Sequence, residues 1–271
     1  TVVTHPEYLR VLGEVIAQYR VDALLVSSLI GHSLDVLNTD LPTVVVNHDY
    51  FPYCPAINIH FGEVCKRCDP ERIGQCYLNN PKFNPFVTFL PHERAAVREQ
   101  FLALIARANV TMIAPSRSVQ ENLARLDARF RGVSFVTIPH GYGRELKMGD
   151  VQRPPANERL RILVLGQLSV PKGLELLRGS LDALLQFAEI YLVGCRELGE
   201  FFKFKAGVHI FPDYDINELP GHVATINPHV GLLMSIVPET FSYALTELMM
   251  LGVPVAATRV GSFPERIQHG Q

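Results

Sequence analysis

Two hydrophobic periods take turns along the chain. Leu9, Leu12, Ile16 and Tyr19 recur at helical spacing, and the continuous apolar run at 23–26 that follows predicts a buried strand. A second such run, 43–46, leads into Asn47, His48 and Asp49. Residues 52–85 break the pattern with Cys, Pro, Gly and Asn and are read as a loop or insertion. Beyond them the pattern predicts a helix over 92–107, a strand over 111–114, a helix opened by the capping pair Ser118 and Glu121, and a strand over 133–138.

The polar stretch 147–159 carries two adjacent prolines and is the best linker, with 151–159 as its core. After it the alternation becomes regular. Strands are predicted at 160–165, 188–193, 207–211, 230–234 and 253–257, and Leu174, Leu177, Leu181 and Leu184 share one face of an intervening helix. Strands without internal polar alternation, joined by helices, imply a parallel sheet covered on both faces. The expected fold is α/β, with two Rossmann-like domains at 1–150 and 160–271, the first incomplete and holding the Cys-rich insertion. Ligands of such sheets sit beyond the carboxyl ends of the strands, so the loops there are where chemistry is expected.

The 271 residues are 48% apolar and 19% charged, ample for two cores and unlike a disordered chain. A net charge of −2 argues against a nucleic-acid partner. Apolar runs break well short of about 18 residues, which excludes a spanning helix, and the first ten residues lack the apolar core of a signal peptide. The chain opens at Thr1 without methionine, which suggests a piece of a larger polypeptide. Five cysteines without a secretory signal favour a reducing, cytoplasmic setting. Seven arginines against four acids over 91–131 could favour peripheral contact with the inner membrane face, although a solvated helix face explains them better.

Three predicted strand-end loops carry candidate chemistry. In the first, Gly166 and Gln167 end a strand and Lys172-Gly173 opens a helix, an arrangement that suits a phosphate, although an ordinary turn with a surface lysine is the better account of this loop taken alone. In the second, Glu239 and Glu247 bracket Phe241, Ser242, Tyr243 and Ala244; eight positions at about 1.5 Å each would separate the acids by roughly 12 Å. That matches the reach from a sugar across a diphosphate to a ribose. Acids in a first helical turn are common, but Glu247 has apolar neighbours Leu245, Leu248, Met249 and Met250 and needs a partner. The third loop follows the strand at 253–257 and ends near Glu265. Tyr214, flanked by Asp213 and Asp215 after another strand, could touch a base, while turn chemistry alone explains the aspartates.

Together these stretches carry a resemblance. Residues 238–267 resemble the E-x7-E region of retaining GT-B glycosyltransferases of the family 4 type; residues 165–177 resemble the family's Gly and Lys-Gly loop; and 44–49, 113–123 and 136–143 resemble its other strand-end segments. The resemblance implies a nucleotide-diphosphate sugar donor, transfer with retention, and no metal cofactor for catalysis. It implies that Glu239 binds the donor sugar, Glu247 the ribose and Lys172 the diphosphate, that the backbone at 241–244 meets the phosphates, and that His48 faces the sugar. It also implies a front-face mechanism, a glycan or lipid-linked acceptor and a place in surface polysaccharide assembly. Gln167 stands where the family has arginine and His140 where asparagine is common. Both ends appear cut relative to the family pattern, which leaves a rival reading, a non-catalytic nucleotide- or glycan-binding module of a larger protein.

Cys54, Cys65, Cys68 and Cys76 form C-x10-C-x2-C-x7-C, whose central pair has the spacing of a zinc knuckle. A structural zinc, disulfides, an iron–sulfur cluster and free thiols are the competing readings, with His60 as a substitute ligand. Cys195 is expected to pack at a strand end.

Overall fold

The computed structural model describes residues 3–80, 90–146 and 158–268. It contains two compact units, the first comprising Thr1–His140 with Val237–Phe241 and the second Gly141–Ile236 with Ser242–Gln271.

In the first unit, helix α1 (Pro6–Tyr19) starts where the His5 side chain accepts from the Tyr8 N–H and proline occupies the first turn. Strands β1 (Leu24–Val26) and β2 (Thr43–Val46) follow, then a small hairpin of β3 (His60–Phe61) and β4 (Glu63–Val64). Helices α2 (Pro70–Asn79) and α3 (Pro91–Ile105) lead to β5 (Val110–Ala114), α4 (Arg117–Leu126) and β6 (Phe135–Thr137). The sheet is parallel throughout, in the order β1-β2-β5-β6. Its core is built by Leu34, Leu37, Phe101, Met112, Leu123 and Phe130, all essentially inaccessible. No residue of α1 is buried.

Three expectations need correction here. The stretch 52–85 is not merely a loop: Asp69 caps α2 by accepting from the Arg72 N–H, and Pro70 fits its first turn. Helix α4 is capped at Ser116, not Ser118; the two hydroxyls bond each other at 2.9 Å instead. Strand β6 is half the length predicted: it pairs with β5 only over 135–137, and the Ser134 carbonyl and Ile138 N–H make the bonds to β5 that close its two ends.

The second unit follows its pattern closely. It runs β7 (Leu160–Leu165), α5 (Leu174–Leu184), β8 (Ala188–Val193), β9 (Val208–Phe211), α6 (Leu219–Ile226), β10 (Val230–Leu233), α7 (Tyr243–Met250), β11 (Val255–Ala257) and α8 (Phe263–Arg266). The parallel sheet has the order β11-β10-β7-β8-β9. Successive side chains of β7 point to opposite faces. Ile162 and Val164 pack with Leu174, Leu177 and Leu181 of α5, whereas Leu163 and Leu165 pack with Leu245 and Leu248 of α7. Each leucine so buried contributes about 1.5–3 kcal/mol. The proposed linker falls at 147–157, outside the described residues, apart from Glu158 and Arg159.

The strand order reverses between β7 and β10. At such a switch point the helices that follow the two strands, α5 and α7, pack on opposite faces, and ligands bind beyond the strand ends. The loops in question are those that start at Gly166 and Met234.

Candidate functional site

The loop after β7 is tied on both sides. Gly166, at φ +100, donates its N–H to the Val193 carbonyl at 2.8 Å, and the Ile236 N–H donates to the Pro171 carbonyl at 3.0 Å. Within it Ser169 Oγ accepts from the Lys172 N–H at 3.3 Å, and Leu174 N–H bonds the Ser169 carbonyl at 3.0 Å. Lys172 is exposed at the start of α5. The next residue, Gly173, lies at φ +87, and a Cβ there would stand 2.1 Å from the Met234 carbonyl oxygen. Only glycine allows the loop to close so tightly on the end of β10.

Glu247 lies buried on α7. Tyr142 donates to its Oε1 at 3.2 Å, and the Tyr214 phenol faces the same carboxyl. Burial raises the carboxyl above its usual range, and the two phenols offset part of that rise. Burial and the facing carboxylate push both phenols up to about 12, so they stay protonated and able to donate. A carboxylate has about four acceptor positions, of which Tyr142 takes one. Tyr214 rests on Gly194, where a Cβ would lie 2.6 Å from its ring.

Tyr214 also lines an open cavity of about 270 Å3 with Gly166, Gln167, Gly194, Arg196, Asp213 and Ile216. Arg196 and Asp213 form an exposed ion pair on its wall. The cavity therefore shares a wall residue with the carboxylate and adjoins the Gly166 turn.

Helix α7 begins at Tyr243, with Ser242 as its cap: Ser242 Oγ accepts from the Leu245 N–H at 3.3 Å. Ser242 is held at φ +74, a conformation costing a serine on the order of 1–3 kcal/mol. Arg266 secures it, donating to the Ser242 carbonyl at 2.9 Å and to Thr246 Oγ1 at 2.7 Å. Glu239 precedes this helix, so the helical rise does not set its separation from Glu247 as the sequence spacing implied.

Glu239 and Phe241 group with the first unit and are buried. There, three strand ends converge. His48, after β2, has Ser27 Oγ 3.0 Å from Nε2 and His140 Nε2 3.1 Å from Nδ1, so residues following β1 and β6 occupy both of its ring nitrogens. Thr240 Oγ1 donates to the His48 carbonyl at 2.7 Å. The His140 ring also meets Phe241 edge-on, with centroids 5.2 Å apart.

Ser27, Tyr142 and Thr240 were not foreseen. Their partners are 21, 105 and 192 positions away, so no local spacing could reveal them.

His140 is held below the usual histidine range by burial and by the neighbouring His48. The native state therefore binds fewer protons than the unfolded chain around and below about pH 6.5, and stability falls as pH falls through that window. His140→Asn is expected to make the loss shallower between about pH 7 and 5, as measured by urea unfolding at several pH values. An unchanged slope would mean that His140 does not contribute.

Residues 159–271 match the family model described as Glycosyl transferases group 1. Among solved structures, the chain is similar to Anabaena HepE in complex with UDP and glucose, at 18% identity and a TM-score of 0.59, covering 96% of this chain and 65% of that one. It is similar to a glycosyltransferase from Rickettsia africae at 15% identity and 0.55, covering 96% and 64%. It is also similar to the lipopolysaccharide outer core galactosyltransferase WaaB at 14% and 0.56, covering 96% and 63%. The chain thus spans slightly less than two thirds of the length of these structures, and at such identities the likeness shows the fold alone. No curated protein matches it in sequence.

Proposed function

We propose that this chain, whose residues 159–271 match the glycosyl transferases group 1 model and which has the two-sheet GT-B fold, transfers a sugar, with retention, from a nucleotide-diphosphate sugar. The family is one of enzymes. One observation carries the reading: a buried carboxylate facing two phenols stands beside a glycine turn and a cavity beyond the carboxyl ends of β7, β8 and β9 of a parallel sheet.

In this reading Glu247 binds the ribose diol through acceptor positions that Tyr142 leaves open. The cavity of Gly166, Gln167, Arg196 and Tyr214 takes the nucleoside. Lys172, the backbone at Ser242, Tyr243 and Ala244, and the start of α7 meet the diphosphate, so its charge is neutralised without a metal ion. Glu239, Phe241 and His48 serve the sugar. The acceptor oxygen forms its bond to the anomeric carbon as the bond to the diphosphate breaks, and its proton passes to the departing phosphate oxygen. A glycan or lipid-linked acceptor, in surface polysaccharide assembly at the inner face of a membrane, fits this chemistry. Among the described residues no helix is long and apolar enough to cross one.

Anabaena HepE was solved with UDP, so UDP-sugars are the first donors to test, followed by GDP- and dTDP-sugars. Calorimetry is expected to find one class that binds. Lys172→Ala should weaken that donor roughly tenfold or more, the worth of a charge-assisted bond, while leaving the free nucleoside unaffected. If no nucleotide binds, or if the variant binds as well as the parent, the donor site is misassigned. Binding without transfer to any acceptor would favour the non-catalytic module.

A further inference from the structure

The proposed transfer makes no use of the cysteine-rich stretch of the first unit. Its four thiols nevertheless converge. Cys54 lies in the turn after β2, Cys65 follows the β3–β4 hairpin, Cys68 precedes α2 and Cys76 lies on it. All four line one small cavity of about 20 Å3, closed by Pro55, Phe61 and Ile73. None is in a disulfide. Among the described residues no three such side chains stand in a finished metal-ligand set. The sulfurs surround the space without yet closing on it.

Donors stand beside two of the sulfurs: Arg98 Nη2 donates to Cys68 Sγ at 3.1 Å and Asn80 Nδ2 to Cys76 Sγ at 3.3 Å, while the Arg72 charge faces Cys65. Burial raises the Cys54, Cys65 and Cys76 thiols, so thiolates form there only as a cation binds. A neutral thiol is a weak acceptor, whereas a thiolate facing a cationic donor makes a strong bond. Arg98 is buried, its guanidinium over the Tyr53 ring, and Arg94 is buried over Tyr77. Four thiolates around a divalent cation carry an excess of two negative charges. Three arginines beside the cluster offset them, as outer partners of a metal site do. The cavity is about one water-sized sphere in volume, which suits a single ion and not an iron–sulfur cluster.

We propose that Cys54, Cys65, Cys68 and Cys76 bind one zinc ion as four thiolates, clipping the turn, the hairpin and α2 together. Zinc follows from an all-sulfur, four-membered ligand set. Each ligating thiol gives its proton to solvent as the ion binds. Cys68 also lines a second, more open cavity. The site is independent of the donor-sugar reading.

The test is made on the full chain, purified without chelator. About one zinc per chain is expected, released when a mercurial blocks the four thiols. The metal-stripped chain titrated with cobalt(II) should show the intense visible bands of a tetrahedral cobalt thiolate. Cys68→Ser should weaken zinc binding by more than the roughly 10–100-fold that loss of an outer partner alone costs, and Cys195→Ser should leave it unchanged. Less than half a zinc per chain, a cobalt spectrum without thiolate bands, or a mass showing a disulfide would each overturn the proposal. The cobalt spectrum of the parent chain decides even where the serine variant fails to fold.

Discussion

Gly173→Ala is expected to destabilise the chain by about 3 kcal/mol or more and to abolish donor binding. Two costs combine. At φ +87 an alanine is strained by on the order of 1–3 kcal/mol. Its Cβ would also stand 2.1 Å from the Met234 carbonyl oxygen and 2.7 Å from the Met234 Cβ. The first of those atoms is backbone at the end of β10, so relief requires the loop to leave the strand. Leaving it breaks the Ile236–Pro171 hydrogen bond and moves Lys172 with it. Gly179 provides the control. It lies six residues on, inside α5, where an added Cβ meets nothing within 4 Å. There alanine should stabilise, by roughly 0.5–1 kcal/mol, through helix propensity. Urea midpoints of the two variants should move in opposite directions. If Gly173→Ala unfolds with the parent, the loop is not locked on β10 and the donor site lacks the rigidity assigned to it.

How far the sequence could be read depended on which faces were buried. Strands β7 and β8 are legible to the residue because packing on both faces keeps their last four positions, 162–165 and 190–193, free of charge, with Arg161 and Glu189 confined to their starts. Helix α2 is not legible. Its apolar content is low and it packs few large side chains, with only Ile73 buried, so periodicity had nothing to register. Ser118 looked like a cap because the pattern contains no record of which serine adopts extended backbone; Ser116 does. Of the candidate site, Gly166 and Lys172 were legible as strand-end chemistry, and Glu247 as a mid-helix acid in apolar company. What satisfies Glu247 was not, because Tyr142 and Tyr214 reach it from other strand ends. The same holds for His48, whose partners Ser27 and His140 come from two further strand ends of its sheet.

Glu247→Gln is expected to cost about ten- to a hundredfold in nucleotide-sugar affinity while leaving the fold as stable as before, or more so. The opposite signs arise from one cause. Burial raises the Glu247 carboxyl above the unfolded value of about 4.3, so the native state holds its proton more tightly than the unfolded chain. Stability attributable to this group therefore falls as pH rises through that window and stays lower once the carboxyl is ionised. Glutamine removes the buried charge and keeps an amide oxygen to accept from Tyr142 and Tyr214, whose hydroxyls can rotate to suit. For the ligand the change goes the other way. A ribose diol donating to a carboxylate makes charge-assisted bonds of about 1.5–3 kcal/mol, and an amide supplies weaker ones and presents an N–H where an acceptor is needed. Calorimetry with the bound donor, together with urea unfolding at about pH 7 and 4, separates the two effects. Unchanged affinity with lowered stability would make Glu247 a structural acid whose clasp exists for the core alone. The expected pattern, weaker binding on an equal or firmer fold, is what a carboxylate buried at the expense of stability for a ligand should show.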